Sequence, residues 1–294
     1  MGKKSVLAFF ALATMFAMAT ASSCNRDAVE SVQKQNTCVE FHQKKMFPQA
    51  IRECNQAVSL DPENVQAQHG LALIYVETKE YAQAVRHFQK AIALEPDVAI
   101  YHYQLGETYQ WLEQWSQAEA ELKRAIELDE TLYKAHYRLG RVSEQLDKPQ
   151  EALQKYTDAI QRNGTFMDAY RELGALYIEY NYLAQSEQVF REAVKALEGR
   201  GDELGEMHYW LGRVLQEKKD YGAAIAEFRL ALEQKPDLAD AMFGLGWCYS
   251  FTNKENSKIW LEKFLSAANQ KTRPDFIQAA HSRLAELMEG AVIQ

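Results

Sequence analysis

The stretch YQLGETY at residues 103–109 returns along the chain as YRLGRVS at 137–143, RELGALY at 171–177, YWLGRVL at 209–215 and FGLGWCY at 243–249. Gly106, Gly140 and Gly174 stand 34 residues apart, as do Gly212 and Gly246, with Cys38 and Ala72 in the equivalent slots further upstream. Twelve residues after each of the first six slots comes a small residue: Ala50, Ala84, Ala118, Ala152, Ser186 and Ala224. Sixteen after it stands Phe88, Leu122, Tyr156, Phe190 or Phe228, and nineteen after it Ala57, Ala91, Ala125, Ala159, Ala193 or Ala231. Pro62, Pro96 and Pro236 close three of the units.

A fixed period of this length marks a repeat architecture in which each unit is one supersecondary element. Within a unit the apolar positions fall three and four apart, the spacing of a helical stripe. Glycine and alanine where two helices cross let the backbones approach more closely than the usual ~8–10 Å, while Leu or Phe fills the space beside them. Glycine inside a helix costs roughly 0.5–1 kcal/mol relative to alanine, and close packing compensates. One helical hairpin cannot bury its own stripe, whereas about seven stacked hairpins can.

The order Leu-Gly, Ala, Phe, Ala, Pro on this period resembles the tetratricopeptide repeat family. The resemblance covers residues 31–270 and implies an all-α, right-handed α-solenoid of about seven helix-turn-helix units near 31–64, 65–98, 99–132, 133–166, 167–204, 205–238 and 239–270. Residues 199–205, GRGDELG, add four positions between the fifth and sixth units, and the last unit runs one residue short before Trp260. Residues 271–294 read as a C-terminal capping helix.

Composition agrees with helix nearly everywhere. Apolar residues are 47% and charged residues 25% of the 294, and 14 glycines with 6 prolines are too few for the turns of a β sandwich. The net charge of −8, with no long basic run, lacks the electrostatic footprint of a nucleic-acid binder. No catalytic or nucleotide-binding motif is present, so no enzyme and no cofactor are expected. His102, His136, His208 and His281 recur near the glycine slots of separate units, about 10 Å apart by helix packing, which is too far for shared zinc ligation at ~2.1 Å. No metal is expected.

Residues 1–23 have the layout of a secretory signal: Lys3 and Lys4, an apolar stretch from Ser5 to about Ala19, then small residues. Ala21-Ser22-Ser23-Cys24 resembles a bacterial lipobox, which implies acylation of Cys24, a membrane attachment through the lipid and a short tether over 24–30. The alternative is ordinary cleavage after Ala21, giving a soluble periplasmic or secreted protein. Cys38 and Cys54 occupy facing slots of the first unit and either form a disulfide or remain two small buried thiols.

In this repeat family the first helix of each unit lines the concave surface. Counting three before, one after and four or five after the glycine, with two edge positions two before it, gives a candidate partner-binding set: Tyr103, Trp111, Tyr137, Arg138, Arg141, Tyr209, Trp210, Arg213, Phe243 and Trp247. Tyr, Trp and Arg are frequent interface anchors. Any one ring can instead pack between units. The domain plan resembles that of type IV pilus pilotins and related envelope-assembly lipoproteins, which implies a protein partner of an envelope assembly. Stacking of sugar rings on Trp111, Trp210 and Trp247 is the alternative.

Overall fold

The computed structural model of the chain describes residues 26–268 and 273–289. The expected signal segment and Cys24 lie outside the described residues. Fifteen helices and no strand are present among the described residues: α1 (26–43), α2 (Phe47–Leu60), α3 (Val65–Glu77), α4 (Tyr81–Leu94), α5 (Ala99–Trp111), α6 (Trp115–Leu128), α7 (Tyr133–Gln145), α8 (Pro149–Arg162), α9 (Met167–Glu179), α10 (Leu183–Ala196), α11 (Asp202–Glu217), α12 (Tyr221–Gln234), α13 (Ala239–Thr252), α14 (Lys254–Ala267) and α15 (Pro274–Glu289). The chain forms two compact halves, 1–152 and 153–294, with the boundary inside α8. Each is a succession of helix hairpins in which a helix packs on its predecessor and its successor.

The small-residue slots account for the packing. Ala50, Ala84, Ala118, Ala224, Ala57, Ala91, Ala125, Ala193 and Ala231 are fully buried, as are Phe88, Leu122, Phe190 and Phe228 beside them. A Cβ added to Gly106 would stand 2.8 Å from Leu122 Cγ, and one on Gly246 2.9 Å from Leu261. Where serine replaces alanine in the small slot, its hydroxyl is satisfied across the hairpin: Ser186 donates to Gly174 O and Ser257 to Gly246 O, each at 2.8 Å. A buried hydroxyl without such a partner would cost about 1–3 kcal/mol.

The turns inside the hairpins share one device. Lys45, Lys79, Glu113, Asp147, Asn181 and Lys219 all have φ between 56° and 64°, the left-handed conformation that ends a helix and reverses the chain. The seventh hairpin, one residue shorter, has lost this position; Asn253 is extended there and its side chain caps α14 by accepting from Asn256 N at 3.0 Å. For most L residues the left-handed conformation costs about 1–2 kcal/mol. Lys79→Gly and Lys219→Gly, at exposed positions, should therefore each raise stability by about 0.5–1 kcal/mol after the extra backbone freedom of unfolded glycine is subtracted. Urea midpoints of the two variants check this.

The four added residues divide between loop and helix. The connection from α10 to α11 has five residues, one more than that from α4 to α5, and α11 has 16 residues against 13 in α5 and α9. Gly199 and Gly201, both with positive φ, carry the reversal.

At the N-terminus the tether expected over 24–30 is helical from residue 26. No Gly or Pro interrupts RDAVE, and the following Ser31 anchors the helix by donating to Ala57 O at 2.8 Å while accepting from Asn64 Nδ2 at 2.9 Å. Cys38 of α1 and Cys54 of α2 form a buried disulfide with a Cα–Cα distance of 5.3 Å. At the other end α15 lays Phe276, Ala280, Leu284 and Leu287 against the cluster of Phe243, Leu261 and Phe264.

Candidate interaction surface

The rings three residues before the glycines are not exposed, contrary to the reading of the sequence. Tyr103 and Tyr137 are 8% exposed, Tyr209 6% and Phe243 7%. Tyr209 packs against the rings of Trp210 and Phe228. Arg138 of α7 reaches back to pair with Glu107 of α5 beside Tyr103. Burial pushes the phenols of Tyr103 and Tyr209 above the ordinary tyrosine range. Phe243 is covered by Phe276 of α15, stacked at 4.3 Å and 16°.

Two tryptophans of the candidate set are also engaged. Trp210 stacks on Phe190 at 5.8 Å and 12°, with the Arg213 guanidinium 5.4 Å from its centroid. Trp247 packs beside Phe243 and lies under Arg283, whose guanidinium is 5.7 Å away. Trp111, by contrast, is 56% exposed. One face stacks on Tyr81 at 5.9 Å and 7°, so the indole is held in place while its surface stays in solvent.

Around Trp111 the structure assembles a cleft of ≈ 370 Å³ lined by Gln110, Trp111, Glu113, Trp115, Arg138, Arg141 and Gln145. Three members of the candidate set, Trp111, Arg138 and Arg141, thus meet in the N-terminal half. Gln110 Nε2 donates to Arg138 O at 2.8 Å, and Arg138 is further fixed by Glu107. Arg141 is exposed and makes no ion pair among the described residues.

Sequence reasoning missed a second feature. The exposed aromatic residues of the described chain are Trp111, Tyr180, Tyr182 and Phe251, and each lies five to eight residues after its glycine slot, where the first helix of a hairpin turns into the second. Tyr221 backs Phe251 at 4.3 Å and 5° as Tyr81 backs Trp111. The signal was present in the spacing: Tyr81 and Tyr221 both stand nine after a slot, and Trp111 and Phe251 both five after the next.

The histidines serve packing. His102 bridges Glu121 at 2.7 Å and Pro96 O at 2.9 Å, His208 meets Glu227 at 2.7 Å, and His87 meets Gln68 at 2.8 Å. Burial, then Lys90 and Arg86, lower the His87 pKa to about 4, so that ring is neutral near pH 7. No group of three potential metal ligands comes together among the described residues. Burial raises the Cys248 thiol to about 12, which keeps it un-ionised.

Family models for the tetratricopeptide repeat match residues 72–111, 103–168 and 205–238. The chain carries tetratricopeptide repeats. No curated protein matches it. The C-terminal part of a TPR repeat-containing protein from Cytophaga hutchinsonii is 14% identical, with a TM-score of 0.68 over 83% of this chain and 98% of that one. PilF of Pseudomonas aeruginosa is 17% identical, with a TM-score of 0.57 over 73% and 96%. YrrB, described as a TPR protein with an unusual peptide-binding site, is 20% identical, with a TM-score of 0.51 over 64% and 95%. These likenesses establish the fold, and tetratricopeptide arrays are protein-interaction scaffolds. No helix among the described residues is long and apolar enough to cross a membrane.

Proposed function

We propose that this tetratricopeptide array is a docking scaffold of the bacterial cell envelope. It holds a segment of a partner protein within an assembly such as a pilus, motility or secretion machine. Attachment would be through a lipid on Cys24, facing the periplasm from the outer membrane. The leader-like residues 1–23 and the lipobox-like run before Cys24 support the location. The likeness in fold to PilF is consistent with it.

One observation carries the binding reading: the exposed aromatics Trp111, Tyr180, Tyr182 and Phe251 all sit at the helix-to-helix turn of their hairpins. Rigid amphipathic rings at the solvent boundary are the side chains that most often anchor a protein interface. The test is affinity capture from native envelopes with the wild-type chain and with a Trp111→Ala, Tyr180→Ala, Tyr182→Ala variant. We expect co-purifying protein to fall at least about tenfold, an anchor loss of ~1.4 kcal/mol or more. Equal capture by both would overturn the role of these rings. The mass of the mature N-terminus in the same material reads the state of Cys24, and an unacylated protein beginning at Ser22 would remove the anchor.

A further inference from the structure

We propose that the cleft beside Trp111 is a saccharide-binding site, accepting one or two pyranose rings or the end of a longer glycan. This goes beyond the scaffold reading and does not depend on it. The composition of the lining decides the class. It holds two indoles and five planar polar side chains, Gln110, Glu113, Arg138, Arg141 and Gln145, and no aliphatic side chain.

A pocket for an apolar anchor of a partner protein is lined mainly by hydrophobic groups. A pocket for a charged anchor carries an excess of the opposite sign. Here the Arg138 charge is neutralised by Glu107, and the lining's other guanidinium, Arg141, is matched by the carboxylate of Glu113. What remains is a flat apolar surface bordered by guanidinium and amide donors and by amide and carboxylate acceptors. A pyranose has the complementary form: its axial C–H groups make one apolar face, and its hydroxyls both donate and accept at the edge.

The supports are those of a prepared site. Trp111 is held by its stack on Tyr81, leaving its other surface 56% exposed overall. Because Gln110 spends its amide N–H on Arg138 O, its carbonyl is left to accept. At ≈ 370 Å³ the cleft lies near the low end of small-ligand sites, roughly 300–1,000 Å³. Burial of Tyr103 and Tyr137 closes the lane along which an extended peptide would continue over α5 and α7. Trp247 offers no comparable face, since the Arg283 guanidinium already lies 5.7 Å from its ring.

The full-length protein is screened on an array of oligosaccharides built from hexoses, N-acetylhexosamines and hexuronic acids, and the strongest binder is titrated calorimetrically and by tryptophan fluorescence. We expect a dissociation constant between about 10 μM and 1 mM, weakened at least ~tenfold by Trp111→Ala and by Arg141→Ala, with Trp111→Phe keeping part of the affinity. Trp111 is exposed, so unchanged circular dichroism and melting show that the variants are folded. Absence of any saccharide signal above that of the Trp111→Ala protein overturns the proposal, as does binding that Trp111→Ala leaves intact. If saccharide binding fails while partner capture still depends on the exposed aromatics, this proposal falls and the scaffold reading stands. If saccharide binding holds and capture is unaltered, the reverse follows.

Discussion

Replacing Phe228 by alanine is expected to cost about 3–5 kcal/mol. The ring is fully buried and wedged between two backbones: a Cβ on Gly212 would lie 2.8 Å from it and one on Gly244 2.5 Å. It also touches the Tyr209 ring at 6.1 Å between centroids. Removing it leaves a cavity at the junction of α11, α12 and α13. Glycines on two sides offer no side chain to collapse into that space, so relaxation recovers little. In a repeat array each hairpin depends on its neighbours, and the loss should be local before it is global. Amides of α11, α12 and α13 should lose hydrogen-exchange protection by two to three orders of magnitude, roughly what ~3–4 kcal/mol implies, while those of α3 to α6 keep theirs. Unchanged protection in α13 would show that the ring does not join these helices.

Adding one methyl group at Gly174 should also destabilise the protein. A Cβ there would fall 2.2 Å from Phe190 Cζ and 2.4 Å from Cε2, inside a fully buried, rigid ring. Either the ring or the helix must shift. Overpacking costs about 1–3 kcal/mol, and a 2.2 Å approach to a buried ring puts this case at the upper end; set against the ~1 kcal/mol gained by alanine over glycine in a helix, a net loss of about 2 kcal/mol is expected. Gly70 supplies the control. Its added Cβ would meet only Cys54 Sγ at 3.5 Å, an ordinary contact, so Gly70→Ala should gain up to about 1 kcal/mol. Urea unfolding of the pair, reading opposite signs for the same chemical change, tests whether the repeating glycine is kept for space. Two losses, or two gains, would refute it.

The hairpin period was legible because it is written in residues with no alternative use. A glycine 34 residues from the last, with a large apolar residue sixteen further on, has few explanations other than a repeated close crossing. The candidate site was less legible, for two physical reasons. The counting rule placed Tyr103, Tyr137, Tyr209 and Phe243 on the correct helical face. It could not show that neighbouring side chains, such as Trp210 over Tyr209 and Phe276 over Phe243, cover those rings. The left-handed residues of the turns were hidden as well, since lysine and glutamate at Lys45, Lys79, Glu113 and Lys219 carry none of the usual glycine or asparagine signal. What could have been read, and was not, is the pairing of Tyr81 with Trp111 and of Tyr221 with Phe251, because it links positions in consecutive units and not within one.

The covalent link between α1 and α2 makes the first hairpin unlike the others. A terminal hairpin in a linear stack has one neighbour only and is the first to fray. At the N-terminus the two strands of the zipper are stitched: Cys38 and Cys54 keep α1 against α2 even when thermal motion parts them from α3, so re-closure is fast. α15 has no such link among the described residues and is held by the packing of Phe276, Ala280, Leu284 and Leu287. Heat should therefore part α1 and α2 from α3 as one body while the disulfide is intact, and a reducing environment should let α1 fray by itself.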